Sequence, residues 1–128
     1  MRGDLQPVTE QDTYAVTLKI KILRFLLALT AAYDLDTWHA DVTNAFLNSI
    51  LNEIVYCKFP DGFAQPGKCL KLLRALYGLC RAPRLWQQEF VSSLKQLRLQ
   101  QVEEELCLFT NDNGIFLLFY INDILLLS

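Results

Sequence analysis

The last quarter of the chain places the tightest constraint on what it can fold into. Leu106-Cys107-Leu108-Phe109 and Ile115-Phe116-Leu117-Leu118-Phe119-Tyr120 are apolar, strand-forming runs separated by the polar tetrad Asn111-Asp112-Asn113-Gly114. Asn-Gly at a hairpin tip supplies the positive φ angles of a type I′ turn, so the two runs predict an antiparallel pair. Ile121-Asn122-Asp123 and Ile124-Leu125-Leu126-Leu127 follow at once, predicting a second tight hairpin with Asn122 and Asp123 at its tip. Strands this apolar cannot face water on both sides, so the sheet needs helices to cover it.

Two segments have the matching helical period. Leu18, Ile22, Phe25, Leu26, Leu29 and Ala32 mark one apolar face over residues 17–33, closed by Asp34-Leu35-Asp36. Pro83 sits where a first helical turn accepts proline, opening a helix over 84–97 with Leu85, Trp86, Phe90, Leu94 and Leu97 on one stripe. Further strands are predicted at 37–42 and 54–59, the latter stopped by Pro60-Asp61-Gly62, with a short helix over 43–51 between them. Residues 1–16 read as a loop and 103–105 as a linker. The result is an α+β fold, one antiparallel sheet with helices packed on one face. The 128 residues bound it to a single domain, and 52% hydrophobic content requires a sizeable core.

Cys57, Cys69, Cys80 and Cys107 form no C-x-x-C pair and the chain has one histidine, which argues against a zinc site and for free thiols. No secretory leader is readable at Met1, and the longest apolar tract falls short of the ~18 residues that a membrane span needs, so the chain reads as soluble. The formal net charge of −2 argues at first against a nucleic-acid-binding module. Divided by segment it says the opposite. Lys58, Lys68, Lys71, Arg74, Arg81 and Arg84 share their window with Asp61 alone, a local charge of +5. The segments 25–57 and 99–128 hold four and five acids and no lysine or arginine. A basic strip between two acidic ones suggests a polyanion track beside a cation site.

Two of those acids stand out. Asp41 ends a predicted strand, and Asp123 lies at a hairpin tip between apolar strands. A carboxylate in such surroundings costs free energy unless a donor or cation satisfies it. A pair of them without Cys or His partners favours Mg²⁺ or Mn²⁺ and the phosphoryl-transfer chemistry such metals serve. On spacing alone, a strand-end cap and a turn aspartate are the favoured reading.

The surrounding residues carry a family resemblance. His39-Ala40-Asp41-Val42-Thr43-Asn44-Ala45-Phe46-Leu47-Asn48 resembles the D-V-x-x-A-F-L-N box of Ty1/copia-type reverse transcriptases, the polymerases of LTR retrotransposons. Arg74-Ala75-Leu76-Tyr77-Gly78-Leu79-Cys80-Arg81-Ala82-Pro83-Arg84-Leu85-Trp86 is similar to their S-L-Y-G-L-K-Q-S-P-R-x-W box, and Tyr120-Ile121-Asn122-Asp123 to their Y-V-D-D box. Tyr56 through Phe63, Pro66-Gly67-Lys68, Arg2-Gly3 and Asp12-Thr13-Tyr14 also resemble family stretches, so the likeness runs over essentially the whole chain.

The resemblance implies a palm-like sheet with part of the fingers. It implies that Asp41 and Asp123 bind Mg²⁺ (or Mn²⁺) at a two-metal site, and that Phe46 lies under the nucleotide sugar as a steric gate. Tyr77, Gly78 and Pro83 would form a turn contacting template and nucleotide, with Arg81 and Arg84 near backbone phosphates. Without it, Phe46 and Tyr77 read as core aromatics, as Trp86 still does from its place on the helix stripe. Implied partners are an RNA template, a DNA primer and deoxynucleotides, with no membrane. The implied setting is intracellular, in cytoplasmic virus-like particles or the nucleus.

The pattern also breaks. Asn122 stands where the family box has its first Asp, leaving Asp41 and Asp123 as the anionic ligands. Cys80-Arg81-Ala82 replaces K-Q-S, and the chain is expected to lack the upstream fingers strand, the thumb and the ribonuclease H domain. Two functions follow. One is an RNA-directed DNA polymerase domain, in degenerate form, transferring nucleotides to a primer 3′-OH. The other is an inactive retrotransposon relic that binds nucleic acid weakly at most.

Overall fold

The structure is a computed structural model and describes residues 17–128. The reading of 1–16 as a loop and the Arg2-Gly3 and Asp12-Thr13-Tyr14 likenesses lie outside the described residues. Elements follow in the order α1 (Ile20–Tyr33), β1 (Thr37–Asp41), a 3-10 helix (Ala45–Asn48), β2 (Ile50–Cys57), β3 (Leu70–Arg74), α2 (Ala82–Gln96), β4 (Gln100–Val102), β5 (Glu105–Thr110), β6 (Phe116–Tyr120) and β7 (Asp123–Leu127). The α+β class is as the sequence indicates. The residues group into two compact units, one holding 44–89 and the other 17–43 with 90–128.

The second unit is built on a five-stranded antiparallel sheet in the order β1-β7-β6-β5-β4. Its central strands are the apolar runs of the C-terminal quarter, paired Leu118 with Leu125 and Phe119 with Ile124. Because side chains alternate across a strand, this register gives the sheet two apolar faces. Phe109, Leu117, Phe119, Ile124 and Leu126 pack with Phe90, Val91 and Leu94 of α2. Leu118, Leu125, Leu127 and Phe116 pack with Ile22, Leu23, Leu26 and Leu29 of α1. The helices therefore take opposite faces of the sheet rather than sharing one. The cause is in β6 and β7, whose every core position is apolar, so each face needs its own cover.

Local chemistry fixes the ends. Asp34 adopts a left-handed conformation, φ 54°, and its N–H closes α1 on the Thr30 carbonyl. Arg98, φ 62°, does the same after α2, with the Leu99 N–H on the Leu94 carbonyl at 3.1 Å. The hairpin at Asn111–Gly114 is not type I′. Gly114 alone has positive φ (79°), and the Asn111 side-chain oxygen accepts the N–H groups of Asn113 and Ile115 at 3.0 and 3.1 Å. This is a three-residue loop with a left-handed glycine, stabilised by the asparagine carbonyl.

Two other expectations change. Glu105 is no linker residue but the first of β5, 2% exposed. Its carboxylate accepts the N–H of Lys19 and of Cys107, each at 3.3 Å, which is what makes its burial tolerable. The second hairpin turns at Ile121–Asn122, with Tyr120 paired to Asp123, so Asp123 opens β7 instead of sitting at the tip.

The first unit is smaller. Its β2–β3 ladder is antiparallel and irregular between Ile50 and Val55, and β2 starts four residues earlier than the predicted 54–59 strand. The predicted 43–51 helix shrinks to one 3-10 turn, with Ala45 and Phe46 buried. Trp86 of α2 is buried as expected, 6% exposed.

Candidate functional site

Asp41 closes β1 and Asp123 opens β7, and the antiparallel register sets the two directly opposite one another. Cα atoms of directly opposed residues lie only ~4.5–5.5 Å apart, so two carboxylates on one face of the ladder must either repel or share something between them. Alternation puts Thr37, His39 and Asp41 of β1 on the same face as Asp123, Leu125 and Leu127 of β7. The sheet thus brings His39 and Asp41 of β1 and the sequence-distant Asp123 of β7 to one end of one face.

The turn beside them is constrained. Ile121 has φ 60° and Asn122 does not, the pattern of a type II′ turn, in which the first central residue is normally glycine. A β-branched residue with positive φ is strained. The Val42 N–H donates to the Asn122 carbonyl at 2.8 Å, tying the end of β1 to this turn.

The side chains satisfy each other in pairs. The Asn122 Nδ2 donates a hydrogen bond to Asp41 Oδ1. The His39 Nε2 lies 3.2 Å from Asp123 Oδ1, with the His39 and Asp123 side chains 65% and 56% exposed. From sequence, His39 has no role beyond its place in the strand predicted over 37–42. The available signal was its spacing of two from Asp41, which puts both on one side of a strand.

A two-cation centre needs several anionic oxygens converging on each ion. Here the converging set is two carboxylates and a neutral amide, and one oxygen of each carboxylate already holds an intramolecular partner. Among the described residues no group of three or more His, Cys, Asp and Glu side chains is placed to hold a metal ion. The residues present do not fit a two-cation site.

The other sequence-predicted residues belong to the other unit. Phe46, 7% exposed, stacks against Tyr77 with ring centroids 4.4 Å apart and planes tilted by 47°. Tyr77 and Gly78 are the central pair of a turn closed by the Leu79 N–H on the Leu76 carbonyl at 3.1 Å. Gly78 has φ 91°, which the third position of a type II turn requires, so glycine there is dictated by the backbone. Pro83 lies in the first turn of α2, where its missing N–H leaves no helical bond unmade. Arg81 donates to Glu53 Oε2 at 3.1 Å, and Arg84 is half-buried in the same helical turn. Arg74 donates to the Asn48 carbonyl at 2.9 Å, holding β3 to the 3-10 turn.

All four cysteines are free thiols, and Cys107 is the buried one. Burial first, and then the adjacent Glu105 carboxylate, push its pKa from 9.0 up to about 11. No helix among the described residues is long and apolar enough to cross a membrane.

Comparison with known proteins gives this geometry a context. The family model described as reverse transcriptase (RNA-dependent DNA polymerase) matches residues 5–128. The chain is 34% identical over 124 residues to the retrovirus-related Pol polyprotein from transposon TNT 1-94 of Nicotiana tabacum, which covers 91% of the chain and 9% of that protein. It is 31% identical over 121 residues to the corresponding polyprotein from transposon RE1 of Arabidopsis thaliana, 90% of the chain and 8% of the relative. The truncated transposon Ty1-A Gag-Pol polyprotein of Saccharomyces cerevisiae is 27% identical over 130 residues, spanning 99% of the chain and 11% of its own length. The chain therefore spans about a tenth of the length of these curated relatives. No solved structure matches it.

Proposed function

The chain belongs to the reverse transcriptase family of Ty1/copia Pol polyproteins, and from that premise we propose that it is a degenerate RNA-directed DNA polymerase domain that no longer transfers nucleotides. The family acts on nucleic acid and generally uses divalent metals. In this reading residues 1–128 form one domain, a view supported by the family match running through both compact units. Asp41 and Asp123 keep the positions of metal ligands, and Asn122 occupies a third position with an amide.

The observation that carries the proposal is the hydrogen bond from Asn122 to Asp41. A carboxylate at position 122 would repel Asp41 and draw in a cation. An amide instead donates a hydrogen bond to Asp41 and removes the need for a cation. Loss of a residue that merely orients a metal ligand costs about 10–100-fold, and replacing a charged ligand costs more.

The parts that would contact substrate survive better. Phe46 is assigned the place under the nucleotide sugar, supported by its buried seat against Tyr77. Tyr77, Gly78 and Pro83 are assigned to the turn facing template and nucleotide. Arg81 and Arg84 are assigned to phosphate contacts, Arg81 in competition with its ion pair to Glu53. An RNA template and DNA primer are thus bound weakly and not extended. In a primer-extension assay on an RNA template with deoxynucleotides and either Mg²⁺ or Mn²⁺, the chain is expected to yield no lengthened primer. Any extended product that disappears on Asp41→Ala would overturn the proposal.

A further inference from the structure

We propose that Asn122 and His39 together replace the divalent cation as the partners of the Asp41–Asp123 pair, making the β1–β7 end of the sheet metal-independent. The inference rests on the assignment of Asp41 and Asp123 as metal-ligand positions, but it concerns what holds the fold together and not whether chemistry occurs. Its basis is the donor inventory at the end of the ladder. Asp41 and Asp123 are forced into opposition by a strand register that the Leu125 and Leu127 pairings fix from the other end. Two ionised carboxylates so placed destabilise the pairing unless each has a donor, because like charges directly opposite one another on a ladder repel.

This chain supplies one donor to each. Asn122 Nδ2 serves Asp41, and the His39 imidazole serves Asp123 at 3.2 Å. The placements are backed by backbone geometry. The Val42 N–H holds the Asn122 carbonyl at 2.8 Å, and the tight turn presents the Asn122 side chain toward β1. His39 and Asp123 are diagonal neighbours on one face of the ladder, within reach of an imidazole. A cation entering here would meet two carboxylates whose Oδ1 atoms already accept hydrogen bonds, and would gain no third anion in return.

A single substitution reverses the arrangement. Asn122→Asp removes the donor to Asp41 and adds a third negative charge to the same end of the sheet, so the pairing then needs a cation. The test is the thermal unfolding midpoint of the full chain in EDTA, in Mg²⁺ and in Mn²⁺, for the unmodified protein and for Asn122→Asp. The unmodified chain is expected to unfold at the same temperature, within about 1 °C, in all three. Asn122→Asp is expected to unfold several degrees lower in EDTA and to regain roughly 4–8 °C when Mn²⁺ is added in excess.

A midpoint of the unmodified chain that rises with either cation would overturn the proposal, as would an Asn122→Asp variant indifferent to both. If Asn122→Asp does not fold, the electron paramagnetic resonance signal of free Mn²⁺ decides on the unmodified chain alone. An undiminished signal with the protein in molar excess supports the proposal, and stoichiometric loss of signal refutes it. Failure of the functional reading is separable from both, since it would show as primer extension and not as a shift in unfolding.

Discussion

The two units treat their apolar residues in opposite ways. In the unit that carries Asp41 and Asp123, every central strand is covered on both faces, and Phe109, Cys107 and Leu127 are fully buried. In the unit that carries Phe46 and Tyr77, the β2–β3 pair leaves Ile50, Ile54, Tyr56 and Leu73 between 60% and 72% exposed, and Phe63 of the following loop at 72%. A five-stranded sheet between helices can bury enough surface to hold itself, whereas a two-stranded ladder alone is marginal in water. The residues of a sequence box and the stability of its scaffold are therefore separate properties. The carboxylates sit on the self-sufficient scaffold, with Asn122 beside them as a neutral amide. The aromatic pair and its glycine turn keep their pattern on the weaker one.

The largest expected effect tests that contrast directly. Phe109→Ala empties a fully buried site in the five-stranded unit and should cost about 3–5 kcal/mol. Phe63→Ala removes a ring of similar size that is already in solvent and should change stability by no more than ~0.5 kcal/mol. Urea denaturation of the two variants checks both, and equal shifts of midpoint would erase the distinction. Next in size is Gly78→Ala. At φ 91° a Cβ is strained whatever space surrounds it, so the turn under Tyr77 should lose about 1–3 kcal/mol. Amide hydrogen exchange should accelerate around 75–80, while β5–β7 stay protected.

A third change has the opposite sign. Ile121→Gly relieves a strained positive φ in the hairpin beside Asp123 and is expected to stabilise the chain by about 0.4–1 kcal/mol, net of the added freedom of the unfolded chain. A loss of stability there would mean that the Ile121 side chain contributes more than its backbone strain costs.

The smallest effect concerns the thiols. The folded pKa of Cys107 is raised, so the folded protein holds that proton more tightly than the unfolded chain does. The associated stability is complete below pH 9 and drains away as pH climbs from 9.0 toward about 11. A thiol-reactive probe at pH 8 should label the exposed Cys69 rapidly and Cys107 only on unfolding.

Legibility in the sequence followed the same division. β5, β6 and β7 were readable because uninterrupted apolar runs alternate with turn residues, and the α1 and α2 stripes because their period is helical. What escaped had physical reasons. Gln100–Val102 is three residues long with two glutamines, so nothing in it marks a strand. The start of β2 at Ile50 escaped because the exposed, polar Asn52 and Glu53 fall in the irregular stretch between Ile50 and Val55 and read as a break. Glu105 looked like linker because its partner Lys19 is 86 residues away. The hairpin tip was placed one residue late because Ile121 is a residue type that turns with positive φ normally exclude. Of the site, motif order anticipated the meeting of Asp41 and Asp123, and spacing alone did not. The Asn122–Asp41 and His39–Asp123 pairs depend on strand register and could only be seen in three dimensions.

The central claim is that Asn122 has closed the carboxylate pair to divalent cations. It is tested most directly by nuclear magnetic resonance of the ¹⁵N-labelled chain under sub-stoichiometric Mn²⁺, following the Asn122 side-chain amide and the backbone amides of Asp41 and Asp123. The account predicts that these signals stay as sharp as those of the distant Phe109 and Leu117. Selective broadening of Asn122, Asp41 and Asp123 at the first additions of Mn²⁺ would place a bound cation between the strands and contradict it.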